Sequence, residues 1–249
     1  MNQVLSPFDP IVFSSLLKSI TCNNSMMKYT VFYRSGPYGG VSTGYASGCN
    51  LRCVFCWADD SRDEPERFGR FYSAEEAFEE LMKNANPKGV KRLRLSGGEP
   101  TICRNHIFRL IELIQETDSI LTLETNGMLF GTDDEYLSRL SKYRQLHVRI
   151  SLKAGTPEGF QKLTGAQPDL YELPYNAIRH LIKNKISFHA AAMTDPRIMS
   201  ADERSAIIKK LNGVGYDNFL EEEECAPYPH TIRRLKKAGL SIFAEEWTD

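Results

Sequence analysis

The chain of 249 residues has almost no net charge, a formal −1 at pH 7 from 31 Lys and Arg against 32 Asp and Glu. That balance gives no bulk attraction to nucleic acid or to an anionic membrane, and neither is expected as a partner. Long apolar runs are missing as well, since no stretch approaches the roughly 20 residues that span a bilayer. The opening residues, MNQVLSPFDPIVFSSLLKSI, lack the basic flank, apolar run and small-residue cleavage site of a secretory signal. A cytoplasmic, reducing compartment is therefore expected, where clustered cysteines hold metal or do redox work more often than they form disulfides. No internal repeat, low-complexity segment or long linker divides the chain. One large α/β domain is the economical reading at this length.

What stands out is Cys49-Asn-Leu-Arg-Cys53-Val-Phe-Cys56, three cysteines in the pattern C-x3-C-x2-C. So compact a loop can aim three thiolates at one centre, but it supplies no fourth ligand. Thiolates suit zinc and iron–sulfur clusters. A structural zinc site takes four protein ligands, and C-x2-C pairs usually come twice. Here the pair comes once, and His106 or Cys103 would have to complete the site. Three cysteines fit three irons of a [4Fe–4S] cube and leave one iron open. The cluster is the preferred reading and zinc the alternative. Cys22, Cys103 and Cys225 read as dispersed single cysteines, with no cysteine-rich extension for an auxiliary cluster.

Along the chain, a helix is expected over residues 11–20, strands over 29–33 and 41–45, and a turn over 35–40 between them. Ser73-Ala-Glu-Glu76 opens a helix as a capping box, with Pro87 to Gly89 to stop it. A strand over 91–95 ends at Ser96-Gly97-Gly98-Glu99-Pro100, and a helix follows with Ile107, Leu110, Ile111 and Ile114 on one face. A strand over 120–123 ends at Glu124-Thr125-Asn126-Gly127. Next come a helix over 133–143 and an alternating strand over 146–152, with His147, Arg149 and Ser151 on its polar face. Helices over 157–163 and 175–183, a strand over 186–193, a helix over 201–211, a strand over 218–223 and a helix over 231–238 complete the pattern. Strand and helix alternate about six times, which implies parallel pairing. A doubly wound sheet and a full or partial barrel all satisfy that pattern. The unusual residues cluster at strand C-terminal ends, the active face of β/α barrels.

The cysteine pattern, with Phe55 just before its last member, resembles the signature of the radical S-adenosylmethionine (SAM) superfamily, and Ser96-Gly97-Gly98-Glu99-Pro100 resembles that family's GGEP motif. The resemblance covers about residues 41–195. It implies an α/β fold, a partial (β/α)6 TIM-like barrel, with residues 1–40 an N-terminal extension packing on the barrel and 41–249 the core domain. It further implies a [4Fe–4S] cluster on Cys49, Cys53 and Cys56, with SAM on the open iron, reductively cleaved to a 5′-deoxyadenosyl radical that abstracts hydrogen. Phe55 would set a backbone contact to adenine, Gly97 and Gly98 would let the backbone approach the ligand, and Glu99 would hold the SAM ammonium.

Glu124-Thr-Asn126-Gly127 and Ser151-Leu-Lys153 resemble the DTNG and D-L-K stretches of glycyl-radical activating enzymes such as the pyruvate formate-lyase activase. This implies Lys153 as a ligand of the SAM carboxylate, with Glu124, Asn126 and Ser151 nearby. Glu and Ser replace the two aspartates, which puts that group's cation site in doubt. His189 would contact ribose. Against each stands a plainer role: a turn for the glycines and for Asn126-Gly127, a solvated lysine, a core histidine. Met193 reads as core, Glu221 to Glu224 as a solvated edge that can turn one pair inwards, and Tyr228-Pro229-His230 as a weak echo of an activase P-Y-H. Trp57 and residues 59–63 shield the cluster or form an ordinary polar loop.

The chain also resembles small archaeal radical SAM proteins and, more distantly, the first enzyme of molybdopterin synthesis. An activase-like enzyme acting on a protein is the expected function. The alternatives are a small-molecule enzyme of cofactor biosynthesis and a non-enzymatic iron–sulfur sensor or electron carrier. A ferredoxin or flavodoxin is the expected electron donor. No residue is assigned to catalysis on the substrate.

Overall fold

The structure, a computed structural model, describes residues 7–36, 40–85 and 89–243. The first helix, α1 (Pro10–Thr21), starts where Asp9 caps it, its carboxylate accepting from the amides of Ile11 (2.7 Å) and Val12 (3.1 Å). Three antiparallel pieces follow: β1 (Cys22–Asn23), β2 (Met26–Ser35) and β3 (Val41–Ala46). A short strand, β4 (Arg70–Tyr72), returns to pair with β2. The capping box forms as expected at the head of α2 (Ala74–Ala85): Ser73 N donates to Glu76 Oε2 at 2.7 Å, and Glu76 N donates to Ser73 Oγ at 3.1 Å.

The remaining elements are β5 (Arg92–Gly97), α3 (Arg104–Gln115), β6 (Ile120–Thr125), α4 (Met128–Thr132), α5 (Asp134–Leu140) and β7 (Leu146–Leu152). After them come α6 (Pro157–Thr164), α7 (Leu173–Lys183), β8 (Ser187–Met193), α8 (Ala201–Gly213), β9 (Leu220–Glu223) and α9 (Pro229–Lys237).

The described strands form one sheet in the order β1-β2-β3-β5-β6-β7-β8-β9, with β4 off the path on β2. Every pairing from β3 onward is parallel, as helical crossovers require. The sheet does not close, so the six parallel strands make the expected partial barrel. Leu93, Leu95, Leu121, Leu123, Val148 and Ile150 are all fully buried among the residues of the covering helices. Their strand neighbours Arg94, Glu124, His147 and Arg149 therefore face the concave side.

Several expectations need adjustment. The first long strand runs ten residues rather than five, and β1 and β4 were not anticipated. All three belong to the same sheet as the barrel strands. An extra helix, α4, fills the crossover after β6 because Gly127, at φ +78°, turns the chain straight into it. Positions 37–39 of the expected turn and 86–88 at the expected helix stop lie outside the described residues. Among the described residues, no helix is long and apolar enough to cross a membrane.

Candidate functional site

β3 delivers the chain into the cysteine loop, and the loop is tied on every side. Gly48 N donates to Ser61 O (2.9 Å), Arg52 N to Thr164 O (3.0 Å) and Val54 N to Leu163 O (2.9 Å). Asn50 reaches back to α1, donating to Ser14 Oγ at 2.9 Å. The thiols share one neighbourhood, Cys53 buried and Cys49 and Cys56 half-buried. Burial, then Glu99 and Cys53, pushes the Cys49 thiol up to about 12. Burial also raises the Cys53 thiol, against the pull of the nearby Lys153 ammonium. Free thiols in this setting keep their protons until a metal displaces them. Cys49 Sγ accepts from Leu51 N at 3.4 Å and lies 3.9 Å from Asn126 Nδ2, polar contacts suited to a thiolate.

The two residues that would complete a zinc site are engaged elsewhere. Cys103 is joined to Cys22 in a disulfide, Cα to Cα 5.6 Å, across a sequence separation of 81. This corrects the reading of both as isolated thiols. His106 is fully buried, with Nε2 2.8 Å from Tyr29 Oη and Nδ1 2.9 Å from Ser25 O. Cys225 is buried beside Asp195, which raises its thiol to about 11 after burial itself. Among the described residues no group of three His, Cys, Asp or Glu side chains is gathered to hold a metal ion. A [4Fe–4S] cube takes its three cysteines on three different irons. The chemistry of this donor set, three sulfurs without a fourth protein ligand, fits the cube and not a closed zinc site.

The glycine turn is a joint between strands. Gly97 has φ +93°, and a Cβ there would stand 2.8 Å from Ala46 O. A Cβ on Gly98 would fall 1.9 Å from Gly48 O. The gap is closed by main-chain bonds, Gly98 N to Ala46 O (2.8 Å) and Glu99 N to Gly48 O (2.7 Å). The backbone these glycines approach is thus that of the stretch leading into the cysteines. Glu99 is 3% exposed and braces β5 to β6. Its Oε1 accepts from Thr101 Oγ1 (2.6 Å) and Thr125 Oγ1 (2.7 Å), and its Oε2 from Asn126 N (2.8 Å). Burial raises its pKa even so. Asn126 passes the brace on, donating from Nδ2 to Asn50 Oδ1 at 2.7 Å. Phe55 is buried in the core beside the loop.

Ser151 and Lys153 meet at the end of β7, Lys153 Nζ donating to Ser151 Oγ at 2.5 Å. Below them the concave face carries a charged layer. Arg94 bonds Thr43 Oγ1 (3.0 Å), Tyr45 Oη (3.0 Å) and Glu124 Oε1 (3.3 Å), and Glu124 also accepts from Ser96 Oγ. Arg149 lies between Glu221 (3.0 Å) and Glu223 (2.7 Å). Burial opposes its charge, but Glu223, Glu124 and Glu221 outweigh that and hold its pKa high.

His189 belongs to this layer. Its Nε2 is 2.7 Å from Glu221 Oε2 and its Nδ1 is 2.7 Å from His147 Nε2, so both ring nitrogens are engaged in the middle of the barrel. The His189 bond, then Arg149, holds the Glu221 carboxyl down at about 2 against its burial. Of the run from Glu221, the first and third residues turn inwards, while Glu222 pairs with Arg204 outside. Arg94 was not named from the sequence, and His147 and Arg149 were read only as the polar face of their strand. Their signal was a charged residue alternating with leucine, valine or isoleucine on a strand. Met193 packs against the core, Trp57 stands edge-on to Tyr45, and Tyr228 is 54% exposed at the head of α9.

Comparison with known proteins gives a consistent picture. The family described as the Radical SAM superfamily matches residues 45–196, from the end of β3 to just past β8. A GTP 3',8-cyclase of Desulforamulus reducens is 34% identical over 118 residues, covering 47% of this chain and 34% of its own length. A 7-carboxy-7-deazaguanine synthase of Methanothermobacter thermautotrophicus is 26% identical over 194 residues, covering 75% of this chain and 69% of its own. The chain thus spans about a third of that cyclase. These relatives are not glycyl-radical activases, so the closeness suggested by Glu124 to Gly127 and Ser151 to Lys153 is not supported. Among solved structures, anSMEcpe with bound AdoMet superposes with a TM-score of 0.54 at 21% identity, over 77% of this chain and 56% of that one. Streptococcus suis SuiB bound to precursor peptide SuiA gives 0.59 at 19%, over 75% of this chain and 39% of that one. At such identities these two speak to the fold.

Proposed function

Because this chain belongs to the radical SAM superfamily, we propose that it is a radical SAM enzyme acting on a small molecule, with a [4Fe–4S] cluster on Cys49, Cys53 and Cys56. Cluster and SAM, when bound, supply an electron-driven cleavage to methionine and a 5′-deoxyadenosyl radical that takes a hydrogen atom from the substrate. The chain binds, orients and shields. Lys153, held by Ser151 and close to Cys53, takes the SAM carboxylate. Glu99 fixes the joint behind the ligand and offers Oε2 to the ammonium, while Gly97 and Gly98 keep the joint tight. The Phe55 backbone faces adenine, and Asn126 steadies Cys49. Glu124 and His189 serve the charged layer beneath, on the substrate side.

Residues 1–40 act as an extension of a core spanning 41–249, and a ferredoxin or flavodoxin supplies the electron. The observation that carries the reading is the shared setting of the three thiols, Cys53 buried and Cys49 and Cys56 half-buried, beside Lys153 and Asn126, with His106 and Cys103 both engaged elsewhere. A small substrate is favoured over a protein by the names of the relatives and by the ionised lining of the barrel, which suits a polar ligand.

The test is anaerobic reconstitution followed by reduction with dithionite. We expect 5′-deoxyadenosine from SAM, and deuterium transfer into it from a deuterated small-molecule fraction of a cell extract. An intact reduced cluster that yields no 5′-deoxyadenosine defeats the proposal. Deuterium arriving only from the protein fraction defeats its small-molecule part.

A further inference from the structure

Each of the three cysteines has its carbonyl oxygen held by a different arginine. Arg52 donates from Nη1 to Cys49 O at 2.5 Å. Arg62 donates from Nη1 to Cys53 O at 2.7 Å. Arg234 donates from Nη1 to Cys56 O at 2.9 Å, from 178 residues downstream on α9. The three guanidinium groups then converge on one carboxylate, Asp63. Arg52 Nε reaches its Oδ1 at 3.1 Å. Arg62 grips both oxygens, from Nε and Nη2, at 2.9 Å each. Arg234 Nη2 reaches Oδ2 at 2.9 Å. The side chains of Arg62 and Arg234 are only 6% and 8% exposed. Arg234 also donates to Ala58 O and Asp59 O, and its Nε is buried without an acceptor among the described residues.

Two buried guanidinium groups and a third, half-buried one around a single anion are a costly arrangement unless something negative completes it. Three cysteine thiolates carrying an iron–sulfur cluster are such a group, and it gains a further negative charge on reduction. Nearby positive charge favours the reduced form, and net charge and hydrogen bonding are the levers that set cluster potentials. A guanidinium suits the task better than an ammonium, because its planar fork can hold a carbonyl and a carboxylate at once.

We propose that Arg52, Arg62 and Arg234, joined through Asp63, form a collar of positioning residues that fixes the backbone of the three cysteines and raises the reduction potential of the cluster they hold. This rests on the cluster assignment made above. The collar also gives a reason for the polar loop after the cysteines and for α9: the loop supplies Arg62 and Asp63, and the helix supplies Arg234.

The test reads iron content and the EPR-monitored midpoint potential of anaerobically reconstituted protein, not SAM cleavage. Arg62→Gln and Arg234→Gln remove a positive charge and are expected to shift the midpoint negative. Asp63→Asn removes a negative charge and is expected to shift it positive. Arg234→Lys keeps the charge but loses the fork, so its midpoint should stay near that of the parent while a chelator strips its iron roughly tenfold faster. Opposite signs for the Arg and Asp variants cannot come from general loosening of the loop. Shifts of one sign, or no shift with iron retained, overturn the collar and leave the radical SAM reading standing. Parent protein that binds no iron overturns that reading instead. Should Arg62→Gln hold no iron, Arg62→Lys decides: a cluster near the parent midpoint supports the collar, and a folded chain without iron overturns it.

Discussion

Where β3 and β5 end, main chain packs on main chain, and an added Cβ on Gly98 would sit 1.9 Å from Gly48 O. Across β7, β8 and β9 the decisive contacts are between ionised side chains, Arg149 with Glu221 and Glu223, and His189 with Glu221 and His147. The first region has almost no freedom to change, because moving a backbone atom there moves the cysteines. The second can be rewritten one side chain at a time without disturbing a strand. This is the division that the proposed function calls for, a way of making the radical common to a superfamily beside a substrate side particular to each member.

The contrast can be broken by substitution. Gly98→Ala has the largest expected effect, because backbone must give way to admit the methyl group. A loss on the order of 4 kcal/mol or more and failure to retain iron are expected, measured by urea unfolding of the apo protein and by iron analysis. Arg149→Gln removes the buried cation between Glu221 and Glu223 and, because both carboxylates are partly open to water, should cost about 2 kcal/mol in the same unfolding experiment, with iron content at the parental level. If Arg149→Gln sheds iron as Gly98→Ala does, the two regions are not separable and the comparison fails.

Acid sharpens the contrast further. Burial pushes His106, under β2, down to about 4, and burial together with His189 pushes His147, on β7, to about 4 as well. A histidine whose folded pKa lies below its unfolded value keeps its full contribution above about pH 6.5. It loses that contribution as the pH falls towards 4, because only the unfolded chain takes up the proton. For fully buried His106 the loss is at most about 3 kcal/mol; for half-buried His147, which solvent screens, it is smaller. Unfolding free energies at pH 7 and pH 5 should show a decline that His106→Gln reduces more than His147→Gln does. An equal reduction by both would contradict the burial difference.

Much of this could be read from the sequence, for definite reasons. Six parallel strands follow from alternation between strand and helix patterns, and the cysteine and glycine motifs announce themselves because few other residues satisfy thiolate ligation or a φ of +93° at Gly97. The capping box at Ser73 and Glu76 is local and formed as expected. What stayed hidden depends on distance along the chain. The Cys22–Cys103 pair is separated by 81 residues, and no spacing rule reports it. Glu99 was expected to point at a ligand, yet most of its bonding capacity goes to Thr101, Thr125 and Asn126, which only the parallel register of β5 and β6 brings within reach. Arg94 and Arg149 read as ordinary strand residues, and only the open barrel turns Arg94 towards Glu124 and Arg149 towards Glu221 and Glu223. Arg234 lies on α9 among Arg233, Lys236 and Lys237, and nothing local marks it as the one that turns in to Cys56 O.

The glycine joint bears on how this scaffold could be re-engineered. Gly97, Gly98 and Glu99 are not a detachable loop, since their amides and Cα atoms are fitted to Ala46 and Gly48 one strand away. A graft that moves the Gly97 to Glu99 turn into another barrel must carry the Ala46 to Gly48 stretch with it. A chimera that joins chains between β3 and β5 inherits two half-joints that were never shaped for each other.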